Sequence, residues 1–509
     1  MNLTGMNVRY LSGLSGGLIL FFFIAFFLDL EPGHPQVTYT LAVAALMAVW
    51  WITEVVPLAV TSLLPVVLFP LFGIMDGRDV SATYVNHVIF LFIGGFIVAL
   101  AMQKWDLHKR IALKILMFTG ISPGRILLGF MLATAFLSMW ISNTATSMMM
   151  VPILISIIHK LEEVIGKAEL KRYSIGLLLG VAYSASIGGI ATLVGTPPNL
   201  SFARIFQIMF PAAPEISFSG WFLFAFPITI LFFGIVWAYL FFFFRPAKNN
   251  WTGTSIRDFR QQYHDLGPTS REERQVFILF IDLAFLWLSR SDITLGSFVL
   301  PGWSSLFPYP DYFNDGTVAI LVSLVLFILP ARNGKNERLM DWRSAKGIPW
   351  NIVLLFGGGF ALASGFKESG LSVWFGEQLS FAGSYHPFVV ILVICFMMTF
   401  LTELTSNTAT TEMLLPILAG LSVSIEVNPL LFMLPATLSG SMAFMLPVAT
   451  PPNAIVFGTG RLQVMDMARN GLILNLIGVV LITLATWFLA TWLFDIDISS
   501  MPGWATENH

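Results

Sequence analysis

Apolar runs long enough to cross a bilayer recur along almost the whole chain, from Leu14 to Phe494, and most charged residues fall in short segments between them. About 20 apolar residues span the hydrocarbon core. Inside that core every backbone N–H and C=O needs a partner within the protein, a demand a helix meets within one segment. The runs therefore predict an all-α polytopic membrane protein. Composition agrees: 56% of the 509 residues are hydrophobic and 11% are charged, against about 25% charged in soluble proteins. A net charge of −2 offers no basic surface to nucleic acid. The single cysteine, Cys395, excludes an intrachain disulfide and argues against a cysteine-based metal site.

Eleven crossings are expected, over roughly 14–30, 39–54, 57–74, 86–103, 173–210, 220–244, 275–291, 316–330, 350–366, 429–460 and 471–494. The first ends in Asp29, Glu31 and Pro32 without a small-x-small cleavage site, so it reads as a retained span. Lys and Arg concentrate at Lys104–Lys114, Lys160–Arg172, Arg245–Arg274 and Arg332–Lys346, and more weakly at Arg461 and Arg469. These mark the cytoplasmic side. The segments near Asp29–Glu31, Asp76–Asp79, Glu215, Asp292–Asp315 and Glu426, and the tail after Asp495, are poor in both and are expected outside. This places the N-terminus in the cytoplasm and the C-terminus outside. Two further apolar stretches have like flanks at both ends. Residues 125–159 must enter from the cytoplasm and return to it, and 386–425 must do the same from outside. Both are expected to be re-entrant helical hairpins.

The sequence also repeats at a separation of 264 residues. Phe92-Ile93-Gly94-Gly95-Phe96 answers Phe356-Gly357-Gly358-Gly359-Phe360, Ser142-Asn143-Thr144-Ala145-Thr146 answers Ser406-Asn407-Thr408-Ala409-Thr410, and Pro152-Ile153-Leu154 answers Pro416-Ile417-Leu418. Thr196-Pro197-Pro198-Asn199 answers Thr450-Pro451-Pro452-Asn453 after a ten-residue slip. One hairpin opens inward and the other outward, so the halves form an inverted-topology repeat, the sequence pointer to a secondary transporter. Lys104–Met117 and Lys367–Phe381 each follow a Gly-rich span and read as amphipathic helices at opposite interfaces.

The repeated motifs carry a specific chemistry. Two successive prolines break a helix, because proline lacks an N–H and clashes with an earlier carbonyl. Carbonyls near Val194 and Gly195, and again in Val448-Ala449-Thr450, are thereby freed as hard oxygen ligands for a small cation such as Na⁺. Such a break is tolerated only where it lines a protected cavity. Ser, Asn and Thr favour helix N-caps. At a hairpin tip they start a second helix whose free N–H groups and positive dipole end form an anion site without a fixed charge. The Asn amide can donate to a carboxylate while its oxygen faces a cation. Ser138 stands one turn before Ser142, and Thr402 stands likewise before Ser406.

Residues 136–158, 190–203 and 436–460 contain no charged side chain. An anion held there needs helix dipoles and co-bound cations, because bare charge in low dielectric is costly. Three roles are open for Glu54, Glu403 and Glu412: carrying protons, pairing with polar backbone, or lying near an interface. Structural roles are favoured, since a carboxylate in the pocket would repel an anionic substrate. The chain has no Walker motif and no His-Glu-x-x-His, and its seven histidines form no ligand-spaced pair. An enzyme is therefore not expected.

These paired motifs, together with Trp50-Trp51-Ile52-Thr53-Glu54 and Pro57, resemble the divalent anion/sodium symporter family, which includes the INDY-type and solute carrier family 13 carriers of dicarboxylates, citrate and sulfate. The resemblance covers nearly the whole chain. It implies a homodimer in a cell membrane, in which a scaffold carries a transport domain that moves as an elevator. It implies one Na⁺ at Ser138, Ser142, Asn143 and Gly195, and a second at Thr402, Thr405, Asn407 and Ala449. It places substrate between Ser142, Asn143, Thr144 and Thr196 and their counterparts Ser406, Asn407, Thr408 and Thr450, with Pro198 and Pro452 shaping the pocket. The expected division is scaffold 1–118, transport part 119–244, cytoplasmic loop and scaffold 245–382, transport part 383–494 and an outer tail 495–509. The expected activity is Na⁺-coupled import of C4-dicarboxylates such as succinate, malate or fumarate. Citrate or sulfate symport, sodium-independent exchange, and a channel with hairpin filter elements are the alternatives.

Overall fold

The computed structural model describes residues 8–120, 122–246, 256–295, 298–332, 337–498 and 500–506. The first seven residues, the middle of the basic segment Arg245–Arg274, part of Arg332–Lys346, two residues of the outer segment 289–315 and the last three of the tail lie outside the described residues.

The chain is mostly helical. Helices α1 (Val8–Phe27) and α2 (Pro35–Thr53) pack against each other. Where the sequence predicts one span over 57–74, the structure has two short helices, α3 (Leu58–Thr61) and α4 (Leu64–Leu71), followed by α5 (Gly77–Thr83). Prolines account for the difference: Pro57 precedes α3, Pro65 lies in the first turn of α4 and Pro70 in its last. The Gly-rich α6 (His87–Lys104) leads to α7 (Leu107–Thr119), the first expected amphipathic helix, across Asp106 in a left-handed conformation.

Helices α8 (Pro123–Ser138) and α9 (Asn143–Ile165) form the first hairpin. Only Gly166 separates α9 from α10 (Lys167–Gly189), which breaks before α11 (Pro197–Met209). Then come α12 (Phe218–Phe244), α13 (Ile256–Asp265), α14 (Arg271–Leu288) and a two-stranded antiparallel ribbon pairing Ile293 with Leu300. The second half contains α15 (Asp315–Ile328), α16 (Trp342–Ala345), α17 (Trp350–Ser369) and α18 (Leu371–Gln378). Lys367 belongs to the last turn of α17, so the second amphipathic element is shorter than expected. Helices α19 (Pro387–Thr402) and α20 (Asn407–Ser424) form the second hairpin. A second broken helix follows, α21 (Leu430–Ser439) and α22 (Pro451–Phe457), and then α23 (Val464–Ala485), which continues through a π-helical turn into α24 (Thr491–Leu493).

Among the described residues, five helical segments are long and apolar enough to cross a membrane by length and composition: Tyr10–Phe27, Pro35–Thr53, Gly77–Lys104, Phe218–Phe244 and Val464–Leu493. Shorter apolar helices, including α8, α15, α19 and α21, accompany them. The chain is thus a multi-pass membrane protein.

The buried apolar residues form two clusters, and α17 contributes to both. Its glycines allow close approach: a Cβ on Gly358 would strike the backbone of Ser62, and one on Gly359 would strike the carboxyl of Glu412. The two repeats interlock crosswise, with α9 packed on α22 and α11 packed on α20.

Candidate functional site

At the first tip, α8 ends on Ser138 and α9 begins on Asn143. Ser142 is the N-cap, extended at ψ 143°, and its Oγ accepts the Ala145 N–H at 3.3 Å. Ser138 is fully buried, whereas Ser142, Asn143 and Thr144 are half-buried. The Ser138 hydroxyl lies 2.5 Å from Asn143 Oδ1 and 2.7 Å from the Ala185 carbonyl of α10. It has one hydrogen and cannot serve both fully.

The same amide oxygen faces the carbonyls of Ala185 at 3.2 Å and Gly195 at 3.3 Å. Four oxygens from three helices and the break thus converge with one hydrogen among them. Such a set of neutral oxygens suits a hard cation. Turning the amide over would instead point its N–H₂ at those oxygens and satisfy them without an ion. With protein atoms alone the turned amide is the consistent form, and the other orientation would need a cation among the oxygens. Glycine is required around it, since a Cβ on Gly189 would lie 2.7 Å from Asn143 Oδ1 and 3.2 Å from the Gly195 carbonyl.

The second tip repeats the arrangement. The Thr402 hydroxyl lies 2.7 Å from Asn407 Oδ1 and 2.8 Å from the Gly440 carbonyl, where α21 ends. Ser406 occupies the N-cap position of α20, but its side chain accepts no capping bond. Thr405 turns to the Leu401 carbonyl at 2.8 Å and to Thr410 Oγ1 at 2.5 Å. Ala449 sits in the turn before α22, its N–H on the Leu446 carbonyl.

Of the residues singled out in the sequence, Ser138, Asn143 and Gly195 meet in the first cluster, and Thr402 and Asn407 meet in the second. Thr196 and Thr450 take the N-cap positions of α11 and α22, and only Thr450 accepts a capping N–H, from Asn453 at 3.4 Å. Pro198, Pro452 and Thr408 are buried. The carbonyls of Ala185 and Gly440 are new members. Motif reading overlooks them because a backbone oxygen leaves no signature in the residue type.

Among the carboxylates, Glu403 is buried and accepts the N–H groups of Phe444, Met445 and Leu446 at 2.7–3.1 Å and the amide of Asn475 at 2.7 Å. It pairs with polar backbone in the unwound stretch before α22. Glu54 is exposed and ends α2 in a left-handed conformation. Among the described residues, no group of three His, Cys, Asp or Glu side chains could hold a metal ion.

A multi-pass helical protein with a doubled motif, two helix breaks and clusters of neutral oxygens beside them has the build of a secondary transporter. The sodium:sulfate symporter transmembrane-region family model matches residues 15–496, and the chain belongs to that family. The chain is 42% identical over 500 residues to the sodium-dependent dicarboxylate transporter SdcS of Staphylococcus saprophyticus, covering 97% of this chain and 94% of the relative. It is 43% identical over 487 residues to the protein of the same name from a Staphylococcus aureus strain, covering 94% and 91%. Two solved transporters share the fold alone. MtrF of Neisseria gonorrhoeae has a TM-score of 0.56 at 12% identity, over 96% of this chain and 99% of its own. The YdaH transporter of Alcanivorax borkumensis has a TM-score of 0.52 at 13% identity, over 84% and 90%. The reading as a transporter rather than an enzyme agrees with the family.

Proposed function

We propose that this protein is a sodium-coupled importer of C4-dicarboxylates such as succinate, malate or fumarate. The observation that carries the proposal is the repeated oxygen cluster, in which a buried hydroxyl and an Asn amide oxygen meet backbone carbonyls, those of Ala185 and Gly195 in the first half and that of Gly440 in the second. Na⁺ bound at Ser138, Ser142, Asn143 and Gly195, and at Thr402, Thr405, Asn407 and Ala449, would bring positive charge beside the N-termini of α9 and α20. The dianion would be met there by N–H groups and by Ser142, Asn143, Thr144, Thr196, Ser406, Asn407, Thr408 and Thr450, with Pro198 and Pro452 as walls. No Lys or Arg lies within 136–158, 190–203 or 436–460. Each bound charge therefore lowers the cost of bringing in the other, which is a coupling free energy. The names of the staphylococcal relatives support a dicarboxylate cargo.

In this reading eleven spans and two hairpins form an inverted repeat, with the N-terminus in the cytoplasm and the C-terminus outside. Residues 119–244 and 383–494 form a transport domain that moves as an elevator against the scaffold 1–118 and 245–382 of a homodimer. The test is uptake of labelled succinate into proteoliposomes with and without an inward Na⁺ gradient, with malate, fumarate, citrate and sulfate as competitors. Gradient-dependent succinate uptake is expected. Equal uptake in both conditions would refute the coupling, and selective competition by sulfate or citrate would reassign the cargo.

A further inference from the structure

The asparagines that close the two Thr-Pro-Pro-Asn motifs make the same bonds in both halves. Asn199 is fully buried and its Nδ2 donates to the Thr192 carbonyl at 2.7 Å, with the Gly189 and Ile190 carbonyls at 3.3 and 3.4 Å. Asn453 is equally buried, and its Nδ2 donates to the Leu446 and Ala443 carbonyls at 3.0 and 3.1 Å. Counted back along the chain, the acceptors shared by both halves stand seven and ten residues before the asparagine.

The carbonyl seven residues back has a second donor in each half. The Thr192 carbonyl also accepts the Gly195 N–H, and the Leu446 carbonyl also accepts the Ala449 N–H. Gly195 and Ala449 are the break residues whose carbonyls the sodium reading assigns to the ion. The asparagine therefore clamps the four-residue turn that aims each of these carbonyls. In the first half it also grips Gly189, whose backbone lies against Asn143 and Gly195. Neither amide oxygen, Asn199 Oδ1 or Asn453 Oδ1, has a protein partner. The bonds that orient these side chains are the ones they give to the break. Elsewhere the halves differ: Glu403 holds the second break by its N–H groups, while in the first break the Thr192 hydroxyl bonds the Met139 carbonyl and accepts the Gly195 N–H. The asparagine clamp is common to two otherwise different solutions.

We infer that Asn199 and Asn453 are positioning residues for the two sodium sites: they touch no ion, and they set the affinity for Na⁺ by holding the Gly195 and Ala449 carbonyls in place. The inference rests on the sodium reading above. A loose turn leaves the ion to order its own ligand, and that ordering cost is subtracted from binding.

The test uses Asn199→Leu and Asn453→Leu, which keep the branched side-chain shape and remove the N–H donors without adding a charge, with Asn199→Ser and Asn453→Ser as milder companions should the first pair fold poorly. Each purified protein is melted across a NaCl titration at constant ionic strength made up with choline chloride, with no substrate present, because a bound ion raises the melting temperature. Succinate uptake is measured over the same range. Each Leu variant is expected to need about tenfold more Na⁺ for half-saturation, the equivalent of one good hydrogen bond, with a maximal uptake rate near wild type. The shifts of the two sites should add in the double variant. Half-saturation unchanged within about twofold, with only the maximal rate or folded yield reduced, would overturn the positioning role and leave a packing role. A wild-type protein that Na⁺ neither stabilises nor stimulates would overturn the sodium reading instead.

Discussion

Ser201 donates a 2.8 Å hydrogen bond to Glu412, joining α11 of the first repeat to α20 of the second. Both residues are fully buried, and the other carboxyl oxygen of Glu412, Oε2, has no protein partner. A polar group left without its partner in such a place costs about 1–3 kcal/mol. Ser201→Ala is therefore expected to lower the melting temperature by a few degrees. Glu412→Gln, which keeps an acceptor for Ser201, should cost less. Gly359→Ala should cost at least as much as Ser201→Ala, because its Cβ would strike the Glu412 carboxyl. Melting curves of the three variants in one detergent decide it, and a Ser201→Ala protein as stable as wild type would show that the bond contributes nothing across the repeats.

The amides of Asn143 and Asn407 carry the heaviest demand, since each would serve cation and substrate at once. Asn143→Ala or Asn407→Ala is expected to abolish Na⁺ stimulation of succinate uptake and weaken succinate binding by at least about tenfold, as expected when a charge-assisted hydrogen bond is lost. The oligomeric state should not change, because neither residue is remote from its own hairpin tip. Binding calorimetry and size-exclusion chromatography on each variant test both halves of the expectation. Normal transport by either would remove the site assignment.

Part of this arrangement was legible in the sequence alone. The tips were, because Ser142–Thr146 and Ser406–Thr410 stand 264 residues apart, the first in a stretch without charge and the second with only Glu403 and Glu412 beside it. The broken helices were, because two adjacent prolines cannot continue a helix. The division of 57–74 into α3 and α4 was not, because Pro57, Pro65 and Pro70 lie in an otherwise apolar run long enough to cross a membrane. The Ala185 and Gly440 carbonyls and the three backbone N–H groups on Glu403 were out of reach, since the backbone is the same at every position and only the fold selects which groups converge. The carbonyl grip of Asn199 and Asn453 was partly in reach: the asparagine repeats with the prolines, but its partners lie seven and ten residues upstream in apolar sequence.

At the end of α6, Asp341 caps α16 through the Ser344 N–H at 2.8 Å and pairs with Lys104 at 2.6 Å. The Lys104 ammonium, and after it the Ser344 N–H, hold its carboxyl down from 3.8 to about 2. A carboxyl lowered by folding stabilises the protein above its unfolded value and loses that contribution as pH falls through the folded one. The stabilisation is thus complete above about pH 4 and gone below about pH 2. Asp341 is 44% exposed, so solvent screening keeps the effect small. Asp341→Asn is expected to melt slightly lower than wild type at neutral pH, with the gap closing between about pH 4 and 2 and narrowing in high salt. A gap that persists below pH 2 would trace the effect to packing rather than to charge.

Lys367, in the last turn of α17, donates to the Ile208 carbonyl of α11 at 3.0 Å. In the elevator reading this contact joins scaffold to transport domain, so it has to break on every cycle. Glu162 and Arg461 form a bidentate pair at 2.5 and 3.1 Å, and both lie in the proposed transport domain. They should travel together. These two contacts separate a sliding mechanism from a rigid one. Cysteines at Lys367 and Ile208, joined by a short reducible spacer, are expected to stop Na⁺-driven uptake almost completely, with recovery on reduction. Cysteines at Glu162 and Arg461, joined in the same way, should leave at least about half of the uptake, because a link inside one rigid body costs no motion. The single native cysteine, Cys395, is buried and leaves a clean background. Uptake that survives the Lys367–Ile208 link would rule out relative motion of those two segments, and with it the proposed division of the chain.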